Sequence, residues 1–167
     1  MATLQKITTN LWFDKQGEEA VNFYISIFKN ASMEKITHYG KEGFEIHKMP
    51  QGTVMTIAFK LEGQEFLALN GGPFFQFTEA ISLIINCETQ KEVDYYWEKL
   101  KEGGDEKAQQ CGWLKDKYGL SWQVVPIVLS EMLNDDDAEK SGRVMNAMLQ
   151  MKKLDIGTLE EAYKRQH

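Results

Sequence analysis

An internal repeat constrains this chain more than any other feature. Asn10 to Phe28, NLWFDKQGEEAVNFYISIF, lies over Ser82 to Leu100, SLIINCETQKEVDYYWEKL, without a gap. Leu11 falls on Leu83, Val21 on Val93, Asn22 on Asp94, Phe23 on Tyr95, Tyr24 on Tyr96 and Phe28 on Leu100. Each copy reads as a strand running into a helix. In the second copy Leu83, Ile84 and Ile85 form a short apolar run, and Cys87-Glu88-Thr89 turns the chain. Val93, Tyr96, Trp97 and Leu100 then recur at helical spacing. Thr89 and Glu92 have the spacing of a capping box, and Gly103-Gly104 stops the helix. Two copies of one supersecondary unit point to duplication.

The order of elements continues the repeat. In the first half, Lys6 to Phe13 is a strand and Glu18 to Phe28 a helix, with Ala20, Phe23, Tyr24, Ile27 and Phe28 on its buried face and Asn30 as a left-handed stop. A second strand holds Ile36 to Tyr39. The glycine-bearing GKEGFEIHKMPQG follows as a loop. Val54 to Leu61 and Gln64 to Asn70 pair across a Glu62-Gly63 hairpin turn, and Gly71-Gly72-Pro73 closes the module. In the second half, a strand over Ala80 to Cys87 precedes the Thr89 to Leu100 helix. Strands follow at Lys107 to Cys111, Trp113 to Lys115 and Leu120 to Val125, ended by Pro126. Both halves therefore read β-α-β-β-β, over residues 1–74 and 75–128. A helical tail occupies 129–167, with Val144, Met145, Met148, Leu149 and Met151 at helical spacing and a capping box at Thr158 and Glu161 opening its last helix.

At 167 residues and 43% hydrophobic, the chain suits one compact domain or two half-domains sharing a sheet. A net charge of −6 argues against nucleic acid as a partner. No apolar run has the length of a membrane span, and MATLQKITTN lacks the apolar core of a signal peptide. Two cysteines, Cys87 and Cys111, make no disulfide framework, so a reduced, cytoplasmic protein is expected. Both close apolar strands and read as packing thiols. His38, His47 and His167 have no metal-ligand spacing and read as surface residues, with a lid role as the alternative for His47.

The segments NLWFD, ALNGGP, SLIINC, CGWLKDKYGLSWQVVP and RVMNAMLQMKKLDI resemble the PhnB-like branch of the vicinal oxygen chelate superfamily. That superfamily includes glyoxalase I, extradiol dioxygenases and the bleomycin- and fosfomycin-resistance proteins. The branch often carries the label 3-demethylubiquinone-9 3-methyltransferase. The resemblance covers nearly the whole chain and implies an α+β fold: two β-α-β-β-β modules forming a curled mixed sheet around a cleft, plus C-terminal helices. It also implies a homodimer, to which the tail is expected to contribute.

Metal-dependent members place His or Glu ligands on the first and last strands of each module. By that pattern the first-strand positions here are Asn10 and Ser82. The last strands offer Gln123 and either Ala68 or Leu67. These residues supply no charge for a divalent ion, so no metal is expected. No strand leads into a glycine-rich turn and helix, so no cofactor is expected either. The predicted ligand cleft holds Asn10, Asn70, Ser82 and Gln123 as polar groups. Trp12, Trp113 and Trp122 form an aromatic wall or, equally, part of the core. Catalytic residues are not assigned. The expected function is the binding of an unidentified small molecule. The alternatives are an enzyme of the same superfamily, and a structural or regulatory dimer with a vestigial cleft.

Overall fold

In the computed structural model, which describes residues 4–165, the chain divides into two compact units, 1–76 and 77–167. The first contains β1 (Thr9–Phe13), α1 (Gly17–Ile27), β2 (Ala31–His38), a short α2 (Phe44–His47), β3 (Val54–Leu61) and β4 (Gln64–Asn70). Its sheet has the order β1-β4-β3-β2, with β1 parallel to β4 and the other pairs antiparallel. Helix α1 buries Ala20, Val21, Tyr24 and Ile27. Leu11, Phe13, Ile57, Phe59, Leu61, Phe66 and Ala68 are the buried apolar residues of the strands. Phe23, predicted on the buried face, is only half-buried, and Val21 takes that place because the apolar stripe runs 20, 21, 24, 27. The helix ends on an extended Phe28 rather than a left-handed Asn30. The Glu62 carboxylate accepts the backbone N–H groups of Lys29 and Asn30 there. Glu62 and Gly63 both have positive φ, 48° and 79°, as the expected two-residue hairpin turn requires.

The second unit contains β5 (Ser82–Cys87), α3 (Gln90–Lys101), a 3-10 turn (Glu106–Ala108), β6 (Trp113–Lys115) and β7 (Ser121–Pro126). The tail then forms α4 (Ile127–Leu133), α5 (Ala138–Leu149) and α6 (Ile156–Lys164). The sheet order is β5-β7-β6, again with the first strand parallel to the last. The repeat therefore survives as a strand, a helix and a returning parallel partner in both units. Thr89 caps α3 as expected: its hydroxyl accepts from the Glu92 N–H at 3.3 Å, while the Glu92 carboxylate accepts from the Glu88 N–H at 2.7 Å.

One predicted strand is absent. Lys107 to Cys111 forms the 3-10 turn and a single bridge between Gln110 and Trp113. Cys111 and Gly112 both adopt positive φ, which ends any ladder, and their N–H groups donate to the Met151 and Lys152 carbonyls. The tail thus supplies the hydrogen bonds that another strand would have made. It also has its own core of Leu129, Met132, Val144, Leu154 and Leu159, with Val125, Met148 and Met151 packed around it. Met145 and Leu149 lie on the outer side of α5 and are exposed. The last helix is capped by Asp155, which accepts from both the N–H and the hydroxyl of Thr158, so the capping box expected at Thr158 does not form. Among the described residues no helix is long and apolar enough to cross a membrane.

Candidate functional site

Strand alternation gives each sheet one face packed on its helix and an opposite face. In the second unit Ile85, Cys87, Leu114, Trp122 and Val124 share the buried side with Val93, Trp97 and Leu100 of α3. The other side carries Ser82, Ile84, Trp113, Lys115, Ser121 and Gln123. Register arranges these six in two rows across the strands. Trp113 stands opposite Gln123 and Gln123 opposite Ile84; Lys115 stands opposite Ser121 and Ser121 opposite Ser82. The Gln123 amide Nε2 donates to Ser82 Oγ at 2.9 Å, tying the two rows together. Ile84 is 55% exposed, so the face is open at β5. At its far end Val125, two residues past Gln123 on the same side, packs against the tail core. The Lys115 ammonium lies 2.6 Å from a Glu79 carboxylate oxygen, and that contact holds the Glu79 carboxyl below the usual carboxylate range.

Two residues predicted for the cleft lie in the core instead. Asn70 is 3% exposed and clamps the first unit: Oδ1 accepts from the Gly17 N–H at 2.8 Å, and Nδ2 donates to the Val54 carbonyl at 3.1 Å. Trp122 is 2% exposed, and its indole N–H donates to Asp116 Oδ2 at 2.8 Å. Both side chains fall on the parity that faces the helix. Asn10 and Trp12 fall on the face of the first sheet away from α1, paired with Leu67 and Leu69. Asn10 is exposed. The Trp12 indole N–H donates to the Gly72 carbonyl at 2.9 Å, and its ring meets Phe75 edge-on. The expected set therefore separates: Ser82, Gln123 and Trp113 adjoin on one sheet, and Asn10 and Trp12 belong to another.

The donor set does not fit a metal. Gln123 pairs with Ile84, whose repeat counterpart is Trp12, and Trp12 pairs with Leu69. The first-unit counterpart of Gln123 is therefore Leu69, not Ala68 or Leu67, and Ala68 is buried under α1. An amide, a hydroxyl and a leucine offer no anionic ligand. Among the described residues no three His, Cys, Asp or Glu side chains are grouped as ligands. The Gly71-Gly72 turn does not cradle a cofactor either. A Cβ on Gly71 would sit 2.3 Å from the Trp12 ring, so that glycine makes room for an indole, and no helix follows before β5. His47 ends the short helix α2 that forms within the segment expected as a loop, with Nδ1 accepting from the Met49 N–H and its ring against Tyr39. His167 lies outside the described residues. Cys87 is buried, and burial with the nearby Glu92 charge pushes its thiol up to about 12, so it is no nucleophile. Cys111, expected as a buried strand residue, is half-buried in a left-handed turn.

Lys115, Ser121 and Ile84 were not picked out from the sequence, although period-2 alternation through Ser121 and Gln123 places both hydroxyl and amide on one side. The signal was present in the spacing. What it lacked was the identity of the neighbouring strand, which only the register supplies.

The family model described as 3-demethylubiquinone-9 3-methyltransferase matches residues 5–125. A PhnB protein from Bacillus cereus is 39% identical, with the match covering 73% of this chain and 99% of that one at a TM-score of 0.63. A protein from Pseudomonas aeruginosa is 19% identical, covering 74% and 98% at a TM-score of 0.57. The fosfomycin resistance protein FosX from Listeria monocytogenes is 18% identical, covering 78% and 98% at a TM-score of 0.51. The last two share the fold. No curated protein matches the chain. The family match ends at Val125, so α4 to α6 lie outside it.

Proposed function

We propose, from the premise that the chain belongs to the PhnB-like, 3-demethylubiquinone-9 3-methyltransferase-like family of the vicinal oxygen chelate superfamily, that it binds a small molecule against the face of its second sheet opposite α3. The observation that carries this reading is the Gln123–Ser82 hydrogen bond on a face flanked by Trp113 and Ile84. Small-molecule sites combine apolar contact area with a few oriented polar groups. Here Ser82 fixes the amide, so Gln123 presents its carbonyl oxygen as an acceptor beside an indole and an aliphatic side chain. Amides and hydroxyls do not titrate near neutral pH, so these groups orient and hold a ligand without a charge or a metal.

The test is a thermal-shift screen of a diverse metabolite collection in the presence of EDTA, with each hit re-measured on Gln123→Leu. That substitution keeps the side-chain volume and removes the amide. Loss of one oriented hydrogen bond at a half-buried site is expected to weaken hits about tenfold. Hits that bind wild type and Gln123→Leu equally would contradict the site.

We also infer a homodimer. Phe74, Phe75 and Ile81 are well exposed, and β1, β2, β5 and β6 are sheet edges within their units. Sedimentation at micromolar concentration should give twice the 19.2 kDa chain mass; a monomer would refute it. Two free cysteines fit the reducing cytoplasm.

A further inference from the structure

We propose that the ligand of this face is a small amphiphilic anion, its carboxylate held in the Lys115–Ser121–Ser82 row and its apolar body laid on Trp113 and Ile84. The inference rests on the site proposed above and names the chemistry it selects. Its first support is an orphan. Ser121 is 1% exposed, and among the described residues its Oγ has no hydrogen-bond partner. A buried hydroxyl without a partner is costly, and a ligand oxygen that enters the row as the neighbouring side chains swing aside would satisfy it.

The second support is charge. Lys115 and Ser82 are the cross-strand neighbours of Ser121, so an ammonium and a second hydroxyl stand in the same row. The Glu79 carboxylate already sits on the ammonium at 2.6 Å, from a side chain that is 62% exposed. An exposed ion pair contributes little stability, so a ligand carboxylate that also takes the Ser121 hydroxyl can displace it. The third support is the adjoining row: Trp113 and Ile84 flank Gln123 and offer apolar contact one step along the strands from the cation. A molecule with one charged end and a flat apolar body matches both rows at once.

The probes are indole-3-acetate and its neutral twin indole-3-acetamide, with inorganic phosphate as a bare anion. Binding is followed by amide resonances of this face in 15N-labelled full-length protein. Indole-3-acetate is expected to bind about tenfold tighter than the amide, as a charge-assisted contact exceeds a neutral one. Lys115→Met should shrink that preference, weakening the acetate more than the amide. Glu79→Gln should strengthen acetate binding, because it removes the resident competitor. Ser121→Ala should weaken the acetate more than the amide. If acetate and amide bind this face equally, the anion inference fails while the site stands. If neither shifts these resonances, the inference fails for this face. If phosphate binds as well as the acetate, the row is an adventitious ion site only and the amphiphile is wrong.

Discussion

A chain cut after Val128 is expected to lose the cooperative unfolding transition of its second unit and to aggregate. The cut removes every member of the buried cluster formed by Leu129, Met132, Val144, Leu154 and Leu159. It strips the acceptors from the Cys111 and Gly112 N–H groups, which donate to Met151 and Lys152. It also takes away Leu154 O and the Ile156 N–H, which hold the two ends of the Gln90 side-chain amide on α3. Gly112 shows how close the tail comes: a Cβ there would lie 2.9 Å from Leu154 Cδ1. The Bacillus cereus relative is covered over 99% of its length by 73% of this chain. Leu154→Ala is the milder version and should cost about 3 kcal/mol, the usual range for emptying a buried leucine site. Circular dichroism melts of both variants check this. An unchanged melting temperature for the truncated chain would show that the tail is ornamental.

Asp116→Ala is expected to destabilise the protein nearly as much, by about 3 kcal/mol, through a different mechanism. The Asp116 carboxylate is 2% exposed. Oδ1 accepts from the N–H groups of Tyr118 and Leu120, and Oδ2 from the Trp122 indole. These bonds fold the β6–β7 turn and let a tryptophan sit wholly in the core. Alanine leaves three donors without that acceptor, and a buried unsatisfied donor costs more than the bond returned. Asp116→Asn should be the less damaging variant, since its carbonyl oxygen still accepts from one side. Urea unfolding followed by tryptophan fluorescence measures both. Equal stability of wild type and Asp116→Ala would show that Trp122 owes its place to packing alone.

Local signals were the most legible part of this fold. The Thr89 cap and the Glu62-Gly63 turn each depend on residues within a few positions, and both appear where expected. Features that depend on distant partners were not legible. The missing strand at Lys107 to Cys111 follows from hydrogen bonds to Met151 and Lys152, about forty residues on, which no window around Cys111 contains. The same holds at the candidate site. Asn70 and Trp122 carry polar groups that suggest a cleft, but Gly17 and Asp116 satisfy them inside the core. Ser121, by contrast, gave no motif, and its interest comes from lacking a partner. A polar residue in a strand therefore points to a ligand only once its protein partners have been accounted for.

The most direct test of a metal-independent binding face is an NMR titration of 15N-labelled protein with the tightest screening hit, in EDTA. The expected result is a set of shifts centred on Ser82, Ile84, Trp113 and Gln123, including the Trp113 indole N–H, and unchanged when the chelator is left out. Shifts centred on Asn10 and Trp12 instead, or binding that appears only without EDTA, would contradict it.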